Sequence, residues 1–297
     1  MPSAMNKADI ATGRRFGGNC ALYGLFGHPV GHSLSPAMQN AAFAACGLEA
    51  VYLPFAVAPA ELAAAVAAIR ALGIRGVNVT IPHKRAVVEY LDKTDGEAAL
   101  SGSVNTIVWR DDALVGYSTD GEGFIRSLRE ETGFEPAGRK VCLLGTGGAA
   151  LALAVRLGRE GVGGLTVVTR QQSKETLGWP LEACPDKVLT YERVRAEPGA
   201  LAACDLIVNT TPLGMSPHED AMPALPATVF HPGMILYDLI YRPAVTKLMR
   251  VAKEAGAKVS GGLGMLVHQG AISFELWTGK PAPVAEMRAA AINALSQ

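Results

Sequence analysis

The run Lys140-Val141-Cys142-Leu143-Leu144, passing directly into Gly145-Thr146-Gly147-Gly148-Ala149-Ala150, restricts this chain more than any other stretch. A short apolar strand that ends in glycines and continues into an Ala/Leu-rich helix is the entry to a nucleotide-binding α/β unit. Residues without a Cβ permit positive φ and let backbone N–H groups approach a pyrophosphate. The helix N-terminus adds partial positive charge at the same place. Gly145, Thr146, Gly147, Gly148 and Ala149 are therefore the candidate phosphate cradle, with Ala150 completing the fingerprint. The strand that follows, Leu165–Thr169, is continued by Arg170-Gln171-Gln172-Ser173-Lys174. An NAD site carries an acid at this strand end to accept from the ribose hydroxyls. Here Thr169 is followed by a cation, so Arg170 and Lys174 are the expected partners of a ribose 2′-phosphate, and NADP(H) the expected cofactor. The alternative is a glycine-rich turn without a ligand and two solvated cations.

Strand and helix patterns alternate on both sides of this turn. Upstream, Ala21–Phe26, Val51–Val57 and Gly76–Thr80 read as strands, and Pro36–Cys46 and Glu61–Leu72 as helices. Ser35 is the expected N-cap of the first helix, with Pro36 at its first position. Val104–Trp109 and Ala113–Ser118 flank Asp111-Asp112 and suggest a hairpin. A helix and linker start at Asp120-Gly121-Glu122-Gly123. Downstream, Asp205–Asn209 and Met234–Leu239 read as strands, the chain turns helical after Gly264, and Val284–Leu295 forms a closing helix that can return to the first unit. The expectation is an α/β protein of two open-sheet domains: a mostly parallel substrate-binding domain at 20–120 plus 265–297, and a Rossmann-like domain at 121–264, behind a flexible tail at 1–19.

The chain's 297 residues suit two domains. Lys+Arg and Asp+Glu number 27 each, so no global basic field favours nucleic acid or an anionic membrane. No apolar run reaches the roughly 18 residues of a bilayer span, and the polar first residues do not read as a signal peptide. The five scattered cysteines contain no CxxC and suit reduced thiols in the cytoplasm. His32, His83 and His268 lack ligand spacing, so no metal site is expected.

Polar residues collect at the strand ends of the first half, where ligands of open α/β sheets bind. Gly31-His32-Ser33-Leu34-Ser35-Pro36 follows the first strand, and Asn78-Val79-Thr80-Ile81-Pro82-His83-Lys84 spans the end of the third. Ser103-Val104-Asn105-Thr106 opens the hairpin and Ser118-Thr119-Asp120 closes it. Hydroxyls, amides, one ammonium and one carboxylate suit a small polyhydroxylated acid. Taken singly, Ser35 and Asp120 are equally helix caps, Asn78 and Asn105 loop-satisfying amides, and Lys84 a solvated lysine.

These stretches resemble the shikimate dehydrogenase family. So do Asn209-Thr210-Thr211-Pro212-Leu213-Gly214-Met215, Asp238-Leu239-Ile240-Tyr241 and Gly261-Gly262-Leu263-Gly264-Met265-Leu266-Val267-His268-Gln269, all in family order from about Tyr23 to the C-terminus. The resemblance implies reversible NADPH-dependent reduction of 3-dehydroshikimate to shikimate, in chorismate and aromatic amino acid biosynthesis, by a monomer or homodimer. It implies substrate contacts at Ser33, Ser35, Asn78, Thr80, Lys84, Asn105, Asp120, Tyr241 and Gln269, with Lys84 and Asp120 as the catalytic pair. The implied cofactor set extends from the glycine turn, Thr169, Arg170 and Lys174 to Thr210, Leu239, Gly262 and Met265. Two positions depart from the pattern: Thr169-Arg170-Gln171 stands where Asn-Arg-Thr is common, and His268 where a small residue is. The rival readings are an NAD-using quinate/shikimate dehydrogenase and a non-catalytic nucleotide-sensing protein on the same fold.

Overall fold

The computed structural model describes residues 17–170 and 177–296. Its first half contains β1 (Ala21–Gly27), α1 (Ser35–Ala45), β2 (Ala50–Ala56), α2 (Leu62–Ala71), β3 (Gly76–Val79), β4 (Lys93–Thr94), α3 (Gly96–Ser101), β5 (Thr106–Arg110) and β6 (Ala113–Tyr117). These strands form one sheet in the order β2-β1-β3-β5-β6-β4. β1 pairs in parallel with β2 and β3, whereas β5 runs antiparallel to both β3 and β6. The β5–β6 hairpin closes through Asp111 and Asp112 at φ 51° and 60°. Two successive positive φ values belong to the hairpin turn whose twist matches that of its strands.

Apolar residues alternate along β1, so the sheet has two cores. Tyr23 and Leu25 pack with Met38, Phe43 and Tyr52 on one face. Phe26 packs with Val66, Ile69, Val77 and Ile107 on the other. Strand β2 lies at the sheet edge, where unpaired backbone groups invite a foreign strand. Asn40 of α1 occupies the pair on Tyr52: its Nδ2 donates to the Tyr52 carbonyl and its Oδ1 accepts from the Tyr52 N–H, both at 2.9 Å.

The second half contains α4 (Asp120–Thr132), β7 (Lys140–Leu144), α5 (Gly148–Arg159), β8 (Gly164–Thr169), β9 (Lys187–Thr190), α6 (Tyr191–Ala196), β10 (Leu206–Asn209), β11 (Ile235–Asp238), α7 (Lys247–Glu254), β12 (Lys258–Ser260), α8 (Leu263–Thr278) and α9 (Val284–Leu295). The sheet order is β12-β11-β10-β7-β8-β9, all pairs parallel. That is the dinucleotide-binding order, with its switch point between β7 and β10. Val141 and Leu143 of β7 face one core and Cys142 and Leu144 the other.

The closing helices return to the first sheet as expected. Val267, Ala271 and Phe274 of α8 and Met287 and Ala291 of α9 are buried in the core that holds Tyr23 and Phe43. Helix α4 packs closely along α8, and a Cβ on Gly123 would lie 2.6 Å from the Gln269 backbone nitrogen. This contact brings the N-terminus of α4 beside Gln269.

One local expectation needs correction. Ser35 is the first residue of α1 rather than its cap, and its N–H donates to Ser33 Oγ at 3.2 Å. Ser33 lies two residues upstream, within reach of the first helical N–H, which has no partner inside the helix. Among the described residues no helix is long and apolar enough to cross a membrane, and no cluster of His, Cys, Asp or Glu could hold a metal ion.

Candidate active site

Asp120 opens α4 with its side chain turned into the protein and 8% exposed. Its Oδ2 accepts from Lys84 Nζ at 2.6 Å and its Oδ1 from Asn105 Nδ2 at 2.9 Å. Lys84 is itself only 23% exposed, so the ion pair is shielded from bulk water. Asn105 is fixed in turn: its Oδ1 accepts from the Thr119 N–H at 2.8 Å, and its Nδ2 also faces Gln269 Oε1 at 3.2 Å. Asn78, at the centre of the sheet, donates from Nδ2 to the Asn105 carbonyl, Thr106 Oγ1 and Ser273 Oγ at 3.1, 3.0 and 2.9 Å. Its Oδ1 accepts from the Tyr52 hydroxyl at 2.9 Å. Burial pushes the Tyr52 phenol well above its ordinary range, so it is a donor here. A continuous network thus runs from Tyr52 to Lys84. It holds an ammonium and a carboxylate in fixed register at the carboxyl ends of the strands.

These groups line a cavity of about 410 Å³. All nine expected substrate residues, Ser33, Ser35, Asn78, Thr80, Lys84, Asn105, Asp120, Tyr241 and Gln269, lie on its wall. Leu239, Gly262 and Met265, expected at the cofactor, line this cavity as well. Lys84 and Asp120 offset each other, and Ser33 and Ser35 offer neutral hydroxyls. The nitrogens of both asparagine amides are engaged inside the network; Asn105 Oδ1 also accepts twice, from the Thr119 N–H and the Thr106 hydroxyl, whereas Asn78 Oδ1 accepts once and can take a further donor.

A second cavity, of about 890 Å³, opens at the carboxyl edge of the other sheet. Gly145, Thr146, Gly147, Thr169, Arg170 and Thr210, all expected at the cofactor, line it. Gly148 and Ala149 are the first residues of α5. Gly145 has φ 104°, and a Cβ there would lie 3.0 Å from both Thr210 Oγ1 and Thr211 Cγ2. The positive φ favours glycine here, and a side chain would also need Thr210 and Thr211 to give way slightly. Lys174 lies outside the described residues.

The two cavity walls are tied together beneath the surface. Asp238, fully buried at the end of β11, accepts from Asn209 Nδ2 at 2.9 Å, Thr246 Oγ1 at 2.7 Å and the Ile240 N–H at 3.1 Å. Asn209 Oδ1 then accepts from the N–H and hydroxyl of Thr211 at 3.1 and 2.7 Å. Burial raises the Asp238 carboxyl above its ordinary value, against the pull of these donors.

A profile described as the shikimate dehydrogenase substrate binding domain matches residues 25–107, and one described as the shikimate 5′-dehydrogenase C-terminal domain matches residues 262–292. The chain is 50% identical over 272 residues to the shikimate dehydrogenase (NADP(+)) of Moorella thermoacetica, covering 90% of each chain. The chain belongs to the shikimate dehydrogenase family. Its fold is also that of solved members. A shikimate dehydrogenase in complex with NADP+ superimposes with TM-score 0.86 at 37% identity, covering 95% of this chain and 98% of the other. The Thermus thermophilus enzyme in complex with NADP(H) and shikimate gives 0.81 at 35% identity, covering 92% and 99%.

Within this shikimate dehydrogenase site, several wall residues carried no sequence assignment. Leu25, Pro29, Val30, Val79, Ile81 and Leu266 line the first cavity. All but Leu266, which lies in α8, sit at the ends of expected strands or in loops, and in each place an apolar residue reads simply as core. His32 lines it too, next to Ser33 in a motif already singled out. Tyr191, Glu192, Thr211, Pro212 and Leu213 line the second cavity. His268, anomalous against the family pattern, has a structural partner: its Nε2 lies 2.6 Å from Glu130 Oε2 on α4, and Arg288 of α9 bonds the same carboxylate. Three helices are thereby joined behind Gln269.

Proposed function

We propose that this chain catalyses the reversible NADPH-dependent reduction of 3-dehydroshikimate to shikimate, within chorismate and aromatic amino acid biosynthesis. The observation that carries the assignment is the 2.6 Å contact of Lys84 Nζ with Asp120 Oδ2 inside a cavity lined by hydroxyls and amides. The second cavity fits the dinucleotide. Its glycine turn leaves space where side chains would stand, the N-terminus of α5 follows it, and Arg170 stands at the end of β8 without an acid beside it on the strand. Gly145 to Ala149 with Thr210 hold the phosphates in this reading. Arg170 and Lys174 would hold the 2′-phosphate, and Leu239, Gly262 and Met265 would complete the cofactor contacts. NADP(H), when bound, supplies or receives the hydride.

The protein manages charge and one proton. Reduction places negative charge on the ketone oxygen. The Lys84 ammonium stabilises that charge and donates the proton. Asp120 holds the Lys84 ammonium in place through its Oδ2 and accepts from a substrate hydroxyl. Ser33 and Ser35 hold the carboxylate through hydroxyl donors. Asn78, Thr80, Asn105, Tyr241 and Gln269 bind and orient the ring. In the reverse direction the same pair takes up the proton.

The domain division follows: residues 20–120 with 265–297 hold the acid and residues 121–264 the dinucleotide. The two six-stranded sheets and the return of α8 and α9 to the first core support it. The same reading places the protein in the cytoplasm as a monomer or homodimer. Initial rates with shikimate or quinate against NADP or NAD test the function. Fastest turnover of shikimate with NADP is expected. A preference for quinate with NAD selects the quinate/shikimate reading, and binding without turnover the regulatory one.

A further inference from the structure

Arg156, near the C-terminus of α5, meets three carboxylates. Its Nη1 donates to Glu97 Oε1 of α3 at 3.2 Å, and its Nε to Glu160 Oε1 at 2.9 Å. Its Nη2 stands 2.6 Å from Glu122 Oε2 of α4, an ion pair without hydrogen-bond alignment. Arg156 is 23% exposed and Glu97 11%, and neither lines the substrate or the dinucleotide cavity. The helices involved belong to different cores. Leu153 and Leu157 of α5 and Phe124 and Leu128 of α4 pack under the second sheet, whereas Ala98 of α3 packs under the first. The bond from Arg156 to Glu97 therefore crosses from one core to the other.

Glu122 lies two residues after Asp120, in the first turn of α4. Between them Gly121 lets α4 sit directly on α5: a Cβ there would lie 2.6 Å from Arg156 Cβ and 3.0 Å from the Ala152 carbonyl oxygen. Asp120 has to meet Lys84, which stands in the loop after β3 of the first sheet. The meeting point therefore depends on how α4 is seated against the first core. Burial raises the Glu97 carboxyl above its ordinary value in spite of Arg156 and Arg159. A shielded ion cluster of this kind can add little net stability, because desolvation offsets the attraction. What it supplies is direction, since a planar guanidinium holds several carboxylates at fixed angles where an ammonium does not.

We infer that Arg156 is a positioning residue: by tying Glu122 of α4 to Glu97 of α3, it fixes the seat from which Asp120 faces Lys84. This rests on the assignment of Lys84 and Asp120 as the acting pair proposed above. Arg156 lines neither cavity, so it acts through Asp120. Its loss leaves the hydroxyls and amides of the substrate cavity in place and frees the first turn of α4 to shift. A displacement of about 1 Å at a reacting group costs up to about a hundredfold in rate.

The test is a double-mutant cycle on the full-length protein, with Arg156→Met, Asp120→Asn and the two combined. Each is measured for kcat of shikimate oxidation with NADP and for shikimate binding by calorimetric titration. Arg156→Met should lower kcat about tenfold or more and leave the shikimate dissociation constant within about threefold. In the Asp120→Asn background it should lower kcat no further, because residues that act as one unit do not add. A residue that merely stabilises the fold would cost the same factor in both backgrounds. Unchanged kcat in Arg156→Met overturns the inference, and so do losses that multiply. If Arg156→Met does not fold, Glu97→Gln, which leaves Arg156 on Glu122 and Glu160, is read the same way. Wild-type turnover in Asp120→Asn removes the assignment of the pair and the inference with it. A slow Asp120→Asn with losses that multiply removes only the role of Arg156.

Discussion

Lys84 and Asp120, 36 residues apart in the chain, meet at 2.6 Å between Nζ and Oδ2, while the other oxygen of Asp120 is held by Asn105. The carboxylate is thus oriented from both sides, and the ammonium is presented to the cavity by a partner that cannot turn away. If Lys84 acts on the developing oxyanion, Lys84→Ala should lower kcat by about a thousandfold, within the range of a positioned general acid. KM for shikimate should stay within about tenfold, because the hydroxyls and amides of the cavity are untouched. Steady-state kinetics on the purified variant decides this, and wild-type turnover would exclude Lys84 from the chemistry.

Arg170 directly follows β8 and lines the dinucleotide cavity, with no carboxylate beside it on the strand. If it holds the 2′-phosphate as proposed, its guanidinium matters chiefly for NADP. Arg170→Ala should therefore raise KM for NADP by about tenfold or more, the scale of a lost charged hydrogen bond, and leave KM for NAD nearly unchanged. Parallel titrations with both cofactors measure the difference. An equal rise for both would place the 2′-phosphate elsewhere.

Much of this architecture is legible in the residue order because strong local signals coincide. The apolar run Lys140–Leu144 must be a buried strand, and the glycines after it fit one kind of turn, so β7 and α5 lie where they are read. The three further parallel strands β8, β10 and β11 follow from similar apolar runs. By contrast β4, β9 and β12 are only two, four and three residues long, and each starts with lysine at a sheet edge. They are strands because neighbours pair with them, and no periodicity announces them. The site shows the same division. Polar residues at strand ends, such as Asn78 and Asn105, announce a cavity. Which atoms remain available cannot be read from residue types, since that depends on partners as distant as Ser273. Tyr191 looks like core because it shares the buried stripe of α6 with Val194. His268 becomes intelligible only when Glu130, 138 residues away, is seen beside it.

Asp238 carries the link between the two cavities. It accepts three hydrogen bonds, and an asparagine in its place has one accepting oxygen and turns an NH2 group toward a donor. Asp238→Asn should cost about 1–3 kcal/mol of stability, the penalty of a buried unmatched polar group. Asn209 and Thr211 on one side and Leu239 and Tyr241 on the other would lose their common anchor. KM for NADP and for shikimate should therefore rise together. Denaturant unfolding and two-substrate kinetics test both halves. A stability loss with both KM values unchanged would show that Asp238 serves folding alone.

Glu130 gives a pH-dependent prediction. The hydrogen bond from His268, followed by the charge of Arg288, holds its carboxyl below the ordinary value of 4.5. A carboxyl depressed on folding binds its proton more weakly in the native state than in the unfolded chain. Its contribution is therefore complete above the unfolded value and is lost as pH falls through the lower native one. The side chain is 49% exposed, so solvent screening limits the effect to about 0.5 kcal/mol. Glu130→Gln should be less stable than the wild type by that amount at pH 7. The two proteins should converge below pH 4.5, where the wild-type carboxylate takes up its proton. Urea unfolding at a series of pH values measures the difference. A gap that persists undiminished well below that value would mean that packing, and not charge, joins α4 to α8 and α9 at this point.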